Sequence, residues 1–162
     1  MSIFDFAIEM EKDGEKFYRE LALKCSNPGL QAIFTNLADE ELDHIRLFSN
    51  LQKETSLDIK DSSILEDSKN IFAAMKEKNQ IDIAADADQT DAYTVALQME
   101  EKAFRFYEEK AQETDNTSEK HLLQAIAREE RRHYRILENI IDFVSRPEQW
   151  LENAEFVHLT DY

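Results

Sequence analysis

Cysteine, glycine and proline are nearly missing from this sequence. Cys25 is the single cysteine among 162 residues, so no internal disulfide and no C-x-x-C metal knuckle can form. Its expected role is a small apolar filler, in a reducing cytoplasm. The two Gly and two Pro are too few for the turns of a sheet protein. No run approaches 18 uncharged apolar residues, so no membrane span is expected. The opening residues Met1 to Phe6 show no basic stretch followed by an apolar run, so no signal peptide is expected either. Basic side chains are scarce as well: 19 Lys and Arg stand against 35 Asp and Glu, a net charge of −16. Such a surface repels phosphate backbones and argues against a nucleic-acid partner. It concentrates cations, or it simply keeps a helical protein soluble.

What is present is amphipathic pattern. Hydrophobic residues make up 42% and charged residues 33%, interleaved at short spacing, which reads as helix in a chain long enough for one domain. Residues 1–162 are therefore read as one all-α domain. It comprises a helical hairpin over 2–54, a connection over 55–90, a second hairpin over 91–145 and a tail over 146–162. Helix one runs from near Ser2 to about Cys25, with Ile3, Ala7, Met10, Gly14, Phe17 and Leu21 on its stripe. Asn27 caps helix two and Pro28 suits its first turn. The stripe of helix two is Leu30, Phe34, Leu37, Glu41, His44, Phe48 and Leu51. Helix three runs from near Thr90 to about Thr114. Helix four, with Thr117 as its cap, carries Leu123, Ile126, Glu130, His133, Leu137, Ile140 and Val144. In the connection, Ser62 or Ser63 caps a shorter helix. In the tail, Trp150, Phe156 and Tyr162 are expected to pack back on the bundle.

The sequence repeats itself. Met10, Glu11, Phe17 and Tyr18 recur as Met99, Glu100, Phe106 and Tyr107. Ala38, Glu40, Glu41, His44 and Arg46 recur as Ala127, Glu129, Glu130, His133 and Arg135, all at an offset of 89 residues. Two hairpins thus share one plan. A Glu-x-x-His pair alone means little, since about one residue in five is acidic and Glu155-x-x-His158 is a third instance. That third pair is expected on the surface. The pairs Glu41/His44 and Glu130/His133 differ because they interrupt apolar stripes. Glu11 lies on a flank of its stripe, in line with Phe4, Tyr18 and Cys25, and Glu100 lies in line with Tyr93 and Tyr107.

Four carboxylates in one core repel one another and favour protonation unless something compensates them. Two divalent cations would do so. The levels agree with one site. Glu11 and Glu41 each lie 15 residues from Ser26, and Glu100 and Glu130 each lie 15 from Asp115. At about 1.5 Å per residue, both pairs sit roughly 22 Å from their turns. Residues three apart share a helical face, so each Glu and its His point the same way.

One Glu from each of two helices and Glu-x-x-His from each of the other two is the ligand pattern of ferritin-like di-iron and di-manganese proteins. From residue 2 to about 145 the chain resembles that family, and more closely its rubrerythrin-related branch. The resemblance is carried by Glu11-x-x-Gly14-x-x-Phe17-Tyr18, by Leu37 to His44 and by Ala127 to His133. It implies a ferritin-like four-helix bundle with a long crossover between helices two and three. It further implies two iron ions, with manganese or zinc as alternatives. Glu41 and Glu130 would bridge, Glu11 and Glu100 would be terminal, and His44 and His133 would each serve one metal.

Two features depart from the pattern. Rubrerythrins proper carry a four-cysteine rubredoxin module, which a single cysteine cannot supply. An external electron donor, such as a rubredoxin-like carrier, is expected instead. Rubrerythrins also tend to carry a further carboxylate one turn after the helix-three ligand, where this chain has Ala103, mirrored by Gly14. These small residues either leave space above the metals or permit close helix packing. Tyr18 and Tyr107 follow Glu11 and Glu100 by seven residues. They are candidate catalytic residues donating to a carboxylate or to bound oxygen species, or else core aromatics with a hydroxyl partner.

Three functions fit this reading. One is reduction of peroxide or dioxygen, the second is ferrous iron oxidation for storage, and the third is a metal-free helical scaffold. The expected assembly is a homodimer, with exchange of helices between subunits left open.

Overall fold

The computed structural model describes residues 2–53 and 90–145. The shorter helix of the connection, Glu155 and His158, and the tail aromatics fall outside these residues. Four helices form the described part: α1 (Ile3–Lys24), α2 (Pro28–Gln52), α3 (Thr90–Glu113) and α4 (Thr117–Ser145).

Local chemistry sets their ends. At α1 the Ser2 hydroxyl accepts from the Asp5 backbone N–H while the Asp5 carboxylate accepts from the Ser2 N–H, both at 3.1 Å, a reciprocal cap. Cys25 leaves helical geometry with φ −70° and ψ 133°, and its N–H closes on the Leu21 carbonyl. Asn27 then caps α2, its Oδ1 accepting from Gly29 and Leu30 at 2.9 and 3.1 Å. At α4 the expected cap is displaced by one residue. Asn116, not Thr117, accepts from the Glu119 N–H at 3.0 Å, and Thr117 is the first helical residue. The planar Asn amide reaches the third N–H of the helix, and Asn ranks above Thr at this position.

The helices pair as two hairpins, α1 with α2 and α3 with α4, which join through α1 against α3 and α2 against α4. Gln52 donates to Asp5 at 2.8 Å, placing the end of α2 beside the start of α1. Cys25 Sγ lies 3.8 Å from the Tyr93 hydroxyl, placing the start of α3 beside the end of α1. Residues 53 and 90 therefore lie at opposite ends of the bundle.

Two apolar clusters fill the interior. One gathers Phe34, Leu37, Tyr93, Ile136, Ile140 and Phe143 near the α1–α2 turn. The other gathers Ala7, Phe48, Tyr107, Leu122, Leu123 and Ile126 near the α3–α4 turn. Each buried large side chain contributes about 1.5–3 kcal/mol. A polar band separates the clusters.

The face of α1 differs from the expected stripe. Glu11 and Tyr18 are buried at its centre, while Met10 and Phe17 are half-buried beside them. The helix is turned so that its polar members meet partners on the other helices, and the long, adaptable Met10 and Phe17 cover the flank. Gly14 is buried facing Glu41, and a Cβ built there would lie 3.5 Å from the Glu41 Cδ, an ordinary contact. Close approach of helix backbones is thus not what Gly14 provides; it leaves space over a carboxylate. Gly14→Ala is expected to stabilise the metal-free fold by about 0.5–1 kcal/mol through helix propensity. Urea denaturation checks this, and a loss of stability would mean that the space over Glu41 is already filled.

Candidate metal centre

Six side chains meet in the polar band: Glu11 from α1, Glu41 and His44 from α2, Glu100 from α3, and Glu130 and His133 from α4. None is more than 3% exposed. The Nδ1 atom of His44 lies 3.1 Å from Glu11, 3.0 Å from Glu130 and 3.5 Å from Glu41. The Nδ1 atom of His133 lies 3.2 Å from Glu41, 3.3 Å from Glu100 and 3.2 Å from Glu130. The two imidazoles stack, with centroids 5.8 Å apart and planes at 12°. The two halves of the site thus repeat each other's contacts, as the 89-residue offset requires.

The tyrosines cross between hairpins. Tyr18 on α1 donates to Glu100 on α3, and Tyr107 on α3 donates to Glu11 on α1. The far side of each imidazole is held too. His44 Nε2 meets Glu129 at 2.5 Å, and His133 Nε2 meets Glu40 at 3.0 Å. Sequence reasoning assigned no role to Glu40 and Glu129. Their signal was present, since both recur at the common offset. What hid it is that they sit beside the stripe and reach the imidazole of the opposite hairpin.

The donor set suits cations. Ligand atoms of Glu11, Glu41, His44 and Glu130 lie within 4.8 Å of one another, and so do those of Glu41, Glu100, Glu130 and His133. Glu41 and Glu130 belong to both groups. The Oε2 atom of Glu130 is buried and makes no hydrogen bond, with the His133 Nδ1 atom 3.2 Å away, and is open to a bound cation. These buried groups could hold metal ions. The rubrerythrin family model matches residues 2–141.

The chain belongs to the rubrerythrin family.

That family is ferritin-like and binds iron in pairs, in keeping with the two overlapping donor groups. No curated protein and no solved structure matches the chain significantly. Among the described residues no helix is long and apolar enough to cross a membrane.

Without cations, this rubrerythrin-family core balances its charge with protons. Burial pushes Glu41 well above the ordinary carboxylate range, and the charges of Glu11 and Glu100 push further. Glu130 is raised by burial and by Glu100, Glu11 and Glu41. Burial opposes ionisation of Glu11 too, but bonds from Glu41, His44 and Tyr107 and the His44 charge win and hold it at about 2. Glu100 is lowered against burial by His133, Glu130 and Tyr18. Burial would lower both histidines, yet the surrounding carboxylates hold them well above the usual imidazole value. Burial and the same carboxylates keep Tyr18 and Tyr107 protonated, as donors. Among the six groups of the band, two carboxylates then face two imidazolium groups, with Glu41 and Glu130 neutral.

The sign of the pH effect follows. Glu41, Glu130, His44 and His133 bind protons more tightly folded than unfolded. Their contribution is complete below the unfolded values of 4.5 and 6.5 and is lost as pH rises through the folded values. Metal-free protein is therefore expected to lose stability from about pH 5 towards alkaline pH, and Glu41→Gln/Glu130→Gln to flatten the acid part of that decline. Denaturation midpoints at several pH values check it; parallel profiles for the two proteins would contradict the protonated pair.

Proposed function

We propose that this protein is a di-iron redox enzyme that reduces peroxide, fed by an external electron-donor protein. The observation that carries the reading is the pair of donor groups sharing Glu41 and Glu130. Glu41 and Glu130 would bridge the ions. Glu11 and Glu100 would be terminal ligands, and His44 and His133 would each bind one ion through Nδ1, the atom facing the carboxylates. Two ferrous ions, when bound, supply one electron each and Lewis acidity towards oxygen atoms.

The chain's own residues prepare the rest. Glu129 and Glu40 hold the imidazoles by Nε2 and so orient Nδ1 inward. Tyr18 and Tyr107 hold Glu100 and Glu11 by hydrogen bonds, which limits the terminal carboxylates to one orientation while a proton remains within reach. The apolar clusters close the band off along the bundle axis in both directions.

Protein purified without chelator is expected to contain about two irons per chain, and Glu41→Ala to lose most of both, since it serves both groups. Anaerobically reduced protein should be oxidised rapidly by hydrogen peroxide, with a change in visible absorption. Equal metal content in wild type and variant would overturn the ligand assignment. A large multi-subunit cage in solution would instead favour iron storage. Loading should also release up to four protons near pH 7, two from the imidazoles and two from Glu41 and Glu130. Proton release in weakly buffered solution measures this, and metal uptake independent of pH would contradict it. Removing an imidazole support, as in Glu129→Ala, should weaken metal affinity by about 10–100-fold, read by competition with a chelator; unchanged affinity would remove that role.

A further inference from the structure

A cavity of about 210 Å³ lies between α1 and α3 and ends on the carboxylates. Glu11, Glu41, Glu100 and Glu130 form its floor. Met10, Phe17, Ala96, Met99 and Ala103 form a mostly apolar wall, and the exposed Asp13 and Lys102 stand at its rim. Its floor carries the buried Glu130, whose Oε2 has no hydrogen-bond partner.

The size and lining exceed what hydrogen peroxide needs. An apolar cavity of about 150 Å³ accommodates benzene. Hydrogen peroxide is two oxygen atoms and gains nothing from thioether and aromatic walls. Gly14 and Ala103 are part of the reason for the room: a longer side chain at either position would occupy it. Met10, Met99 and Phe17 offer soft, adaptable contacts suited to an aromatic or branched hydrocarbon group. The charge pattern narrows the choice. Asp13 and Lys102 offset each other at the rim, and the chain's net charge of −16 disfavours an anionic guest.

The geometry points to a neutral alkyl or aryl hydroperoxide as the oxidant, its hydrocarbon group in the cavity and its O–O bond against the carboxylate floor. This rests on the peroxide-reducing reading above. In the step, the O–O bond of RO–OH breaks and two O–H bonds form, giving ROH and water. A bound ferrous pair would supply the two electrons, one from each ion, and solvent the two protons. The external donor then restores the ferrous state.

The first test needs no metal. 2-Phenyl-2-propanol, the alcohol product of cumene hydroperoxide, is titrated into metal-free protein while the methyl resonances of Met10 and Met99 are followed. Saturable shifts of both are expected, with at least tenfold weaker binding in Ala103→Leu, whose larger side chain fills the cavity. Absence of saturable shifts in wild type overturns the proposal whether or not the variant folds. The second test compares oxidation of ferrous-loaded protein by cumene hydroperoxide and by hydrogen peroxide. Cumene hydroperoxide is expected to react within tenfold of hydrogen peroxide, and that ratio to fall at least tenfold in Ala103→Leu. Oxidation by hydrogen peroxide alone overturns this proposal and leaves the di-iron reading standing. Failure of both peroxides to oxidise the loaded protein overturns the two together.

Discussion

Mutual repulsion among four buried carboxylates is the constraint on which this structure depends. Burial alone would neutralise them, and an isolated ionised carboxylate in such a place costs several kcal/mol. The bundle meets that cost with groups drawn from all four helices: two imidazoles, two phenols and protons held on Glu41 and Glu130. Each compensating contact is also a tether between helices. The apolar clusters supply most of the cohesion, but the polar band determines how the hairpins are aligned, because Tyr18 must meet Glu100 and Tyr107 must meet Glu11.

Repetition of one hairpin explains the economy of this arrangement. A carboxylate facing its own kind across the bundle would be unfavourable, whereas the offset copies place each imidazole between carboxylates of both hairpins. Glu40 and Glu129 extend the same exchange outward, each gripping the imidazole of the opposite hairpin. Within the six-residue band the metal-free protein balances its charge with protons, and four ionised carboxylates are balanced there if cations replace those protons. That exchange gives a physical reason for a rubrerythrin-family fold to tolerate so polar an interior.

Two small residues, Gly14 and Ala103, fall on one side of the site. Gly14 and Ala103 stand where larger side chains would close the space between α1 and α3, and the cavity opens there rather than between the helices that carry the histidines. Sequence reasoning left open whether these residues gave space or close packing. For Gly14 the neighbour is a carboxylate and not a helix backbone. Only the placement of Glu41 against it decides between the two.

By itself the sequence determined the helices and the meeting of six chemical groups at one level. Period 3.6, two capped turns and an 89-residue repeat are local properties, and local properties survive in a linear string. The stripes of α2 and α4 are buried as their spacing indicates, from Leu30 to Phe48 and from Leu123 to Val144. The rotation of α1 was decided only by tertiary structure, because Met10 and Glu11 are adjacent on the helix surface and only partners elsewhere select the inward one. The cap at Asn116 rather than Thr117 turned on one residue of backbone geometry that composition does not resolve. The crossed contacts from Glu129 to His44 and from Tyr18 to Glu100 join positions more than 80 residues apart. Which of many acidic side chains lies close enough to share a proton is a matter of distance in space, and the bundle must be assembled before that distance exists.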